Sequence, residues 1–282
     1  MNLGPSAVTH PSYHVRRPRL ARAIHATLRR NVERRHEDGF GLPWEAFAAA
    51  QVPGAVTPSK TTSSSLTTAF GFYVEQMFFT EAASPENLAA LAASSPVAQV
   101  QQAFSAQIHD EVAHGRMMHR YLVEKLGRTN PREHWVSFVG RRAGKVMQRV
   151  HPAVGARAVT MAIEYYASSL ADQLLERIDE PLLRAVLMDI QKDENRHRVL
   201  AVESAALLQE AGAGQSWLGV ASAAILLPLA EGWFRHVMNG TLRRHCGALG
   251  VPFGDLYERA VVDMREDFAK ALSSASSDAD PV

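Results

Sequence analysis

Two pentads in the chain share one pattern, Asp-Glu-x-x-His: Asp110-Glu111-Val112-Ala113-His114 and Asp193-Glu194-Asn195-Arg196-His197. On a helix, residues i and i+3 leave from one face, so Glu111 with His114, and Glu194 with His197, each offer an oxygen and a nitrogen to one point. Two such pairs aimed into the interior of a bundle form a ligand set for two iron or manganese ions. At this chain's residue frequencies a single chance copy is expected in roughly one such chain in thirty, and two in roughly one in two thousand. The helix faces agree with this reading. Phe104, Ile108, Met118 and Leu122 share a stripe with Glu111, and Leu187, Ile190 and Ala201 lie near that of Glu194. A carboxylate on a buried face is costly unless it is neutralised or coordinated.

The remaining ligands come from a repeat. Glu81 lies thirty residues before Glu111, and Glu164 thirty before Glu194. An offset of 83 carries Glu81 onto Glu164, Asp110 onto Asp193, Glu111 onto Glu194 and His114 onto His197. The pattern predicts two helical hairpins related by a pseudo-twofold axis, supplying four carboxylates and two imidazoles to two metals. Glu75 competes for the first position. Six residues apart on a helix, Glu75 and Glu81 point in different directions, and the offset carries Glu75 onto Ala158, so the repeat favours Glu81 without excluding Glu75. Ala167, Ser168 and Ala171 follow Glu164 at one-face spacing, which either leaves room for a substrate or allows close helix packing.

Stepping outward from the ligands, residues 65 to 270 show sparse breakers and no two-residue alternation, which predicts an all-α body. Helices are expected near 65–83, 97–126, 133–149, 156–177, 181–212, 217–238 and 252–272. Breaks are expected at SPEN (84–87), SSP (94–96), Gly127 to Pro131, His151-Pro152, Asp179-Glu180-Pro181, the AGAG of 211–214, and Gly247 to Pro252. Residues 1–64 form a basic N-terminal helix and loop, 65–212 the antiparallel bundle, 213–272 helices packed on it, and 273–282 a disordered tail. The N-terminal helix, over 16–37, carries Arg16, Arg17, Arg19, Arg22, Arg29, Arg30, Arg34 and Arg35 around an apolar stripe of Leu20, Ile24, Leu28 and Val32. It reads as a solvated face or as a dock for an acidic partner, such as an acyl or peptidyl carrier protein.

Composition limits the alternatives. Thirty Lys+Arg against 29 Asp+Glu give a formal charge of +1, so no global field marks a nucleic-acid binder. The one cysteine, Cys246, cannot build a disulfide framework or an iron–sulfur cluster, and no CxxC pair is present to carry electrons. The N-terminal sequence lacks a secretory pattern, and the apolar run from Trp217 to Ala230 is short of the roughly twenty residues of a membrane span and contains Pro228. A cytoplasmic protein with no membrane partner is expected. A homodimer remains open.

The residues resemble the ferritin-like non-haem diiron carboxylate oxygenase superfamily over roughly 65–212. DENRH is similar to the motif of acyl carrier protein desaturases, and Thr80-Glu81 followed by Pro85 looks like their first-ligand segment. The resemblance implies a ferritin-like four-helix bundle with added N- and C-terminal helices, with Glu81, Glu111, His114, Glu164, Glu194 and His197 holding two Fe ions or a Mn/Fe pair. Asp110 and Asp193 would accept the outer imidazole N–H groups. It further implies activation of O2 for hydroxylation, desaturation or N-oxygenation of a small-molecule or carrier-tethered substrate, with electrons from an external ferredoxin or reductase. Two alternatives share the pattern: a ferritin- or rubrerythrin-like iron-handling protein, and a radical generator like the small subunit of ribonucleotide reductase. Arylamine N-oxygenases of the superfamily place an extra histidine where this chain has Ile190. Tyr121, seven residues after His114, reads as a packing residue, as do Tyr165 and Tyr166. Against iron storage stand the segments outside the bundle, in which Trp233, Phe234 and Phe253 look fit to roof a substrate pocket.

Overall fold

A computed structural model describes residues 17–36, 64–150, 161–177, 180–212, 225, 228–229 and 231–277. Every regular element among them is helical, so the all-α reading holds. Helix α1 spans Pro18–His36, α2 Ser64–Ser94, α3 Ala98–Glu124 and α4 Trp135–Val150. A π-helical stretch, Met161–Ala167, runs directly into α5, Ser168–Leu175, and α6 spans Pro181–Glu210. A second π-helical stretch, Trp233–Met238, continues into α7, Asn239–Cys246. A 3-10 turn at Gly247–Leu249 then leads to α8, Phe253–Ser277.

Short connections set the directions of the bundle. Ser95 to Val97 reverse the chain between α2 and α3, whose pairing is the most extensive in the fold. Glu180 caps α6 by accepting from the Leu183 N–H at 2.5 Å, and Pro181 at the first turn needs no N–H partner. The Tyr121 hydroxyl donates to the same carboxylate at 3.2 Å, tying the end of α3 to the start of α6. That is the packing role expected for Tyr121. Tyr165 and Tyr166 likewise end on Asp267 and Asn239.

Two apolar clusters lie at different levels along the bundle. One gathers Phe70, Tyr73 and Met77 of α2 with Met117, Met118 and Leu122 of α3 and Leu182 to Ile190 of α6. The other gathers Leu88 and Leu91 of α2, Val100 and Phe104 of α3, Leu200, Leu207 and Leu208 of α6, and Leu20 and Ile24 of α1. Glu81, Asp110 to His114, and Asp193 to His197 occupy the stretch between these levels on all three helices.

Four expectations need correction. The SPEN sequence does not end the helix, because α2 passes through Pro85 to Ser94. An interior proline costs about 3 kcal/mol. Beyond it Leu88 and Leu91 are buried, and each contributes roughly 1.5–3 kcal/mol, enough to offset the lost bond. In α1 only the first half of the apolar stripe is buried: Leu28 and Val32 are 49% and 52% exposed. A four-residue spacing advances about 40° past a full turn at each step, so the inward face instead follows Leu20, Ile24, Thr27 and Asn31. The helix placed at 217–238 does not stop there but continues as α7 to Cys246. Residues 273–277, expected within a disordered tail, are helical instead: Ala271 of α8 is buried, and the Ser/Ala-rich sequence after it continues that helix to Ser277. The expected loop as far as residue 63, the His151-Pro152 break, most of the run from Trp217 to Ala230, and residues 278–282 lie outside the described residues.

The arginines of α1 are partly structural. Arg17 is 4% exposed and reaches Glu203 at 2.6 Å, Glu210, and the Ala271 carbonyl at 3.2 Å, while Arg30 pairs with Asp189 at 2.8 Å. Removing one partner of a buried ion pair strands the other. Arg17→Ala is therefore expected to lower the unfolding free energy by about 3 kcal/mol in urea titrations. Leu28→Ala, on the exposed side of the same helix, should change it by less than about 0.5 kcal/mol.

Candidate metal centre

Helices α3 and α6 cross-brace each other through their two pentads. His114 Nε2 lies 3.0 Å from Asp193 Oδ2, and His197 Nε2 lies 3.1 Å from Asp110 Oδ2. Each aspartate thus serves the histidine of the opposite helix. With the Nε2–H donated outward, the Nδ1 lone pair faces inward. Asp193 is also held by Arg196, whose guanidinium lies 3.7 Å from Asp110, so one cation spans both aspartates.

Around the two inward nitrogens stand four glutamates. His114 Nδ1 lies 3.4 Å from both Glu81 Oε2 and Glu194 Oε1. His197 Nδ1 lies 3.1 Å from Glu111 Oε1, 3.7 Å from Glu194 Oε1 and 4.0 Å from Glu164 Oε2. All six residues are at most 3% exposed. They fall into two groups that could each hold a metal ion: Glu81, Glu111, His114 and Glu194, and Glu111, Glu164 and His197. Glu111 belongs to both, and Glu194 lies between the two imidazoles. Glu75 stays outside, paired with Arg128 at 2.7 Å. Gly71 makes this pairing possible, because a Cβ there would occupy the space of the Arg128 guanidinium.

The electrostatics describe a site short of positive charge. Burial pushes Glu81 up to about 8, with the charges of Glu111 and Glu194 adding to it and His114 opposing. Burial also raises Glu164 well above the carboxylate range, and Glu194 beside it adds to the shift. Burial alone would lower both histidines. The carboxylates around them outweigh it and raise both, Asp193 and Glu194 acting on His114, and Asp110 and Glu111 on His197. At Glu194 burial is outweighed in the other direction by the two imidazoles, which hold it well below its usual range. Against the four glutamates the internal counter-charge is carried by protons, which two divalent cations would replace.

Sequence reasoning missed Gln107. Buried one turn before Glu111, it donates from Nε2 to Glu111 Oε1 at 3.0 Å and to Glu164 Oε1 at 2.6 Å. The offset of 83 puts Ile190 at the matching position, so the repeat conceals this residue. The π-helical setting of Glu164 breaks the symmetry again, since Glu81 sits in regular α-helix. Wider turns of this kind occur often at functional sites. Arg198 fixes the same segment by donating to the Glu164 carbonyl at 2.8 Å and to Ser168 Oγ at 2.6 Å. Gly115 brings the α3 backbone against Glu81 and Ala82 of α2, at distances a Cβ would still fit but a larger side chain would not.

A cavity of about 560 Å³ lies against α2, lined by none of the six candidate ligands but by their neighbours in sequence. Met77 and Thr80, neighbours of Glu81 on α2, and Ala167, one turn beyond Glu164, are in its wall. Trp233 and Phe234 also line it, whereas Phe253 is buried in the apolar cluster, and Ser168 and Ala171 serve helix packing.

Glu111→Ala and Glu194→Ala should each lose at least one of two iron equivalents per chain by elemental analysis, and full retention in both would refute the ligand set. Glu75→Gln should retain both. Asp193→Asn should weaken metal binding roughly 10–100-fold, and Gln107→Leu should weaken the second equivalent more than the first in a Mn²⁺ titration followed by electron paramagnetic resonance. Comparison of the chain with models of protein families, with curated proteins and with solved structures gives no match, so the reading of the centre rests on its own geometry.

Proposed function

We propose that this chain is a ferritin-like diiron carboxylate enzyme that uses O2 to oxidise a small organic substrate. One observation carries the reading. Seven inward atoms of the centre are buried without a hydrogen-bond partner: Glu81 Oε2, Glu111 Oε2, His114 Nδ1, Glu164 Oε2, both oxygens of Glu194, and His197 Nδ1. Buried polar atoms are normally satisfied, and these are also the atoms that would ligate. Imidazole nitrogen with carboxylate oxygen suits iron or manganese, and four glutamates balance two divalent ions.

When bound, two ferrous ions would supply the electrons that reduce dioxygen. The protein's own part is positional. Asp110 and Asp193 hold the imidazole protons at Nε2 and keep both Nδ1 atoms aimed inward. Gln107 holds Glu111 and Glu164 against each other's charge. The two apolar clusters keep bulk water from reaching the centre along the bundle. Thr80, Met77 and Ala167 form the boundary across which a substrate in the cavity meets the centre.

The cavity favours substrate oxidation over iron handling, because storage needs no apolar chamber of this size beside the metals. Electron delivery by an external ferredoxin or reductase belongs to the same proposal. Docking of a carrier protein on α1 would rely on Arg19, Arg22 and Arg29, which are exposed, since Arg17 and Arg30 are engaged in the fold. Among the described residues no helix is long and apolar enough to cross a membrane.

Anaerobic protein loaded with two ferrous ions per chain, mixed with oxygenated buffer, should consume dioxygen and change its near-ultraviolet and visible absorbance faster than free ferrous ion. Glu164→Ala should slow both by at least about tenfold. Bound iron that reacts no faster than free iron would end the oxygenase reading.

A further inference from the structure

We infer that the cavity beside the centre binds an elongated, uncharged, mainly apolar molecule that carries hydrogen-bonding groups at separated points. This names a substrate class for the proposed function and rests on that reading for the reaction, though not for the binding. The shape follows from α2. Tyr73, Gln76, Thr80, Ala83 and Asn87 recur at helical spacing along the cavity wall. Fourteen residues separate the first from the last, about 21 Å at 1.5 Å per residue, and Glu81 lies near the middle. A chamber of about 560 Å³ drawn out over that length accepts a narrow molecule and places its middle, not its end, beside the metals.

The absence of net charge follows from how the wall's ionic groups are used. Arg141 and Glu133 neutralise each other in a two-point pair, with Nη2 to Oε2 at 2.7 Å and Nε to Oε1 at 3.2 Å. His134 packs edge-on against His245, and burial together with that neighbour lowers its pKa, so it stays neutral near pH 7. Among the described residues no wall cation is left to hold a carboxylate or phosphate, and no wall anion to hold an ammonium.

Hydrogen-bonding groups on the ligand follow from three side chains of the wall that each keep one polar atom buried without a partner: Tyr73 its hydroxyl, Asn87 its Oδ1 and Trp233 its Nε1. Tyr73 and Asn87 are 1% and 6% exposed. An unmet buried polar group carries a desolvation penalty, which a ligand donor at Asn87 and an acceptor at Trp233 or Tyr73 would remove. Gly140 leaves space for the indole, since a Cβ there would stand 3.3 Å from Trp233 Nε1. Phe72, Phe79 and Phe234 supply aromatic surface between the polar points.

N-phenyl-1-naphthylamine is a suitable probe, being uncharged, largely aromatic and equipped with one N–H for Asn87. Its sulfonated relative, 1-anilinonaphthalene-8-sulfonate, keeps the skeleton and adds a negative charge. Fluorescence titration of the full chain, both iron-loaded and chelator-treated, should show one saturable site for the amine and at least about tenfold weaker binding of the sulfonate. Ala83→Phe, which fills the wall, should abolish amine binding. Asn87→Leu, which keeps the volume and removes the acceptor, should weaken it about tenfold. Circular dichroism and melting curves identify any variant that fails to fold, and either variant alone suffices for the test. Equal binding of the two probes, binding unchanged by the folded variants, or no binding at all would overturn the proposal. Because the chelator-treated protein is measured too, failure of dioxygen chemistry with intact probe binding would refute the enzyme reading alone.

Discussion

Six carboxylates, Glu81, Asp110, Glu111, Glu164, Asp193 and Glu194, lie buried at one level of a helical bundle with two imidazoles and one partly buried guanidinium among them. Charge at this density inside a protein is tolerated only with counter-charge and fixed geometry. The surrounding structure meets both needs. Apolar clusters hold the helices at close range, and the two histidine–aspartate pairs lock the register of α3 against α6. A one-turn slip between those helices would break both pairs at once.

What was legible in the sequence was what depends on spacing along one helix. Both pentads, the lone Glu81 and Glu164, and the all-α class follow from periodicity, and the offset of 83 separated Glu81 from Glu75. Contacts between helices left weaker traces. Gln107 matches Ile190 in the repeat, so the offset of 83 gives no sign of it. Arg17 looked like one charge in a basic run, although it is buried against Glu203. Pro85 looked like a stop, because the burial of Leu88 and Leu91 that offsets it is a tertiary effect. The drift of Leu28 and Val32 off the inward face of α1 was calculable from the helical repeat alone, and a stricter use of 100° per residue would have found it.

The repeat itself is imperfect in an informative way. Two hairpins of matching ligands would give two equivalent metal positions, yet Gln107 has no counterpart and only Glu164 sits in a π-helical turn. One half of the centre therefore rests on an amide bridge and a widened helix, the other on regular helix. A cavity that runs along α2 also approaches the pair from one side. In the proposed enzyme such a chemical difference would let one metal face the substrate while the other served mainly to hold it in place.

Arg17 joins three distant parts of the chain: α1, the carboxylates of Glu203 and Glu210 on the ligand-bearing helix, and the Ala271 carbonyl near the end of α8. During synthesis the first of these leaves the ribosome long before the last. The final setting of α6, and with it of Glu194 and His197, waits until residue 271 has emerged. Any metal loading of this bundle would in consequence follow the emergence of α8 and not precede it.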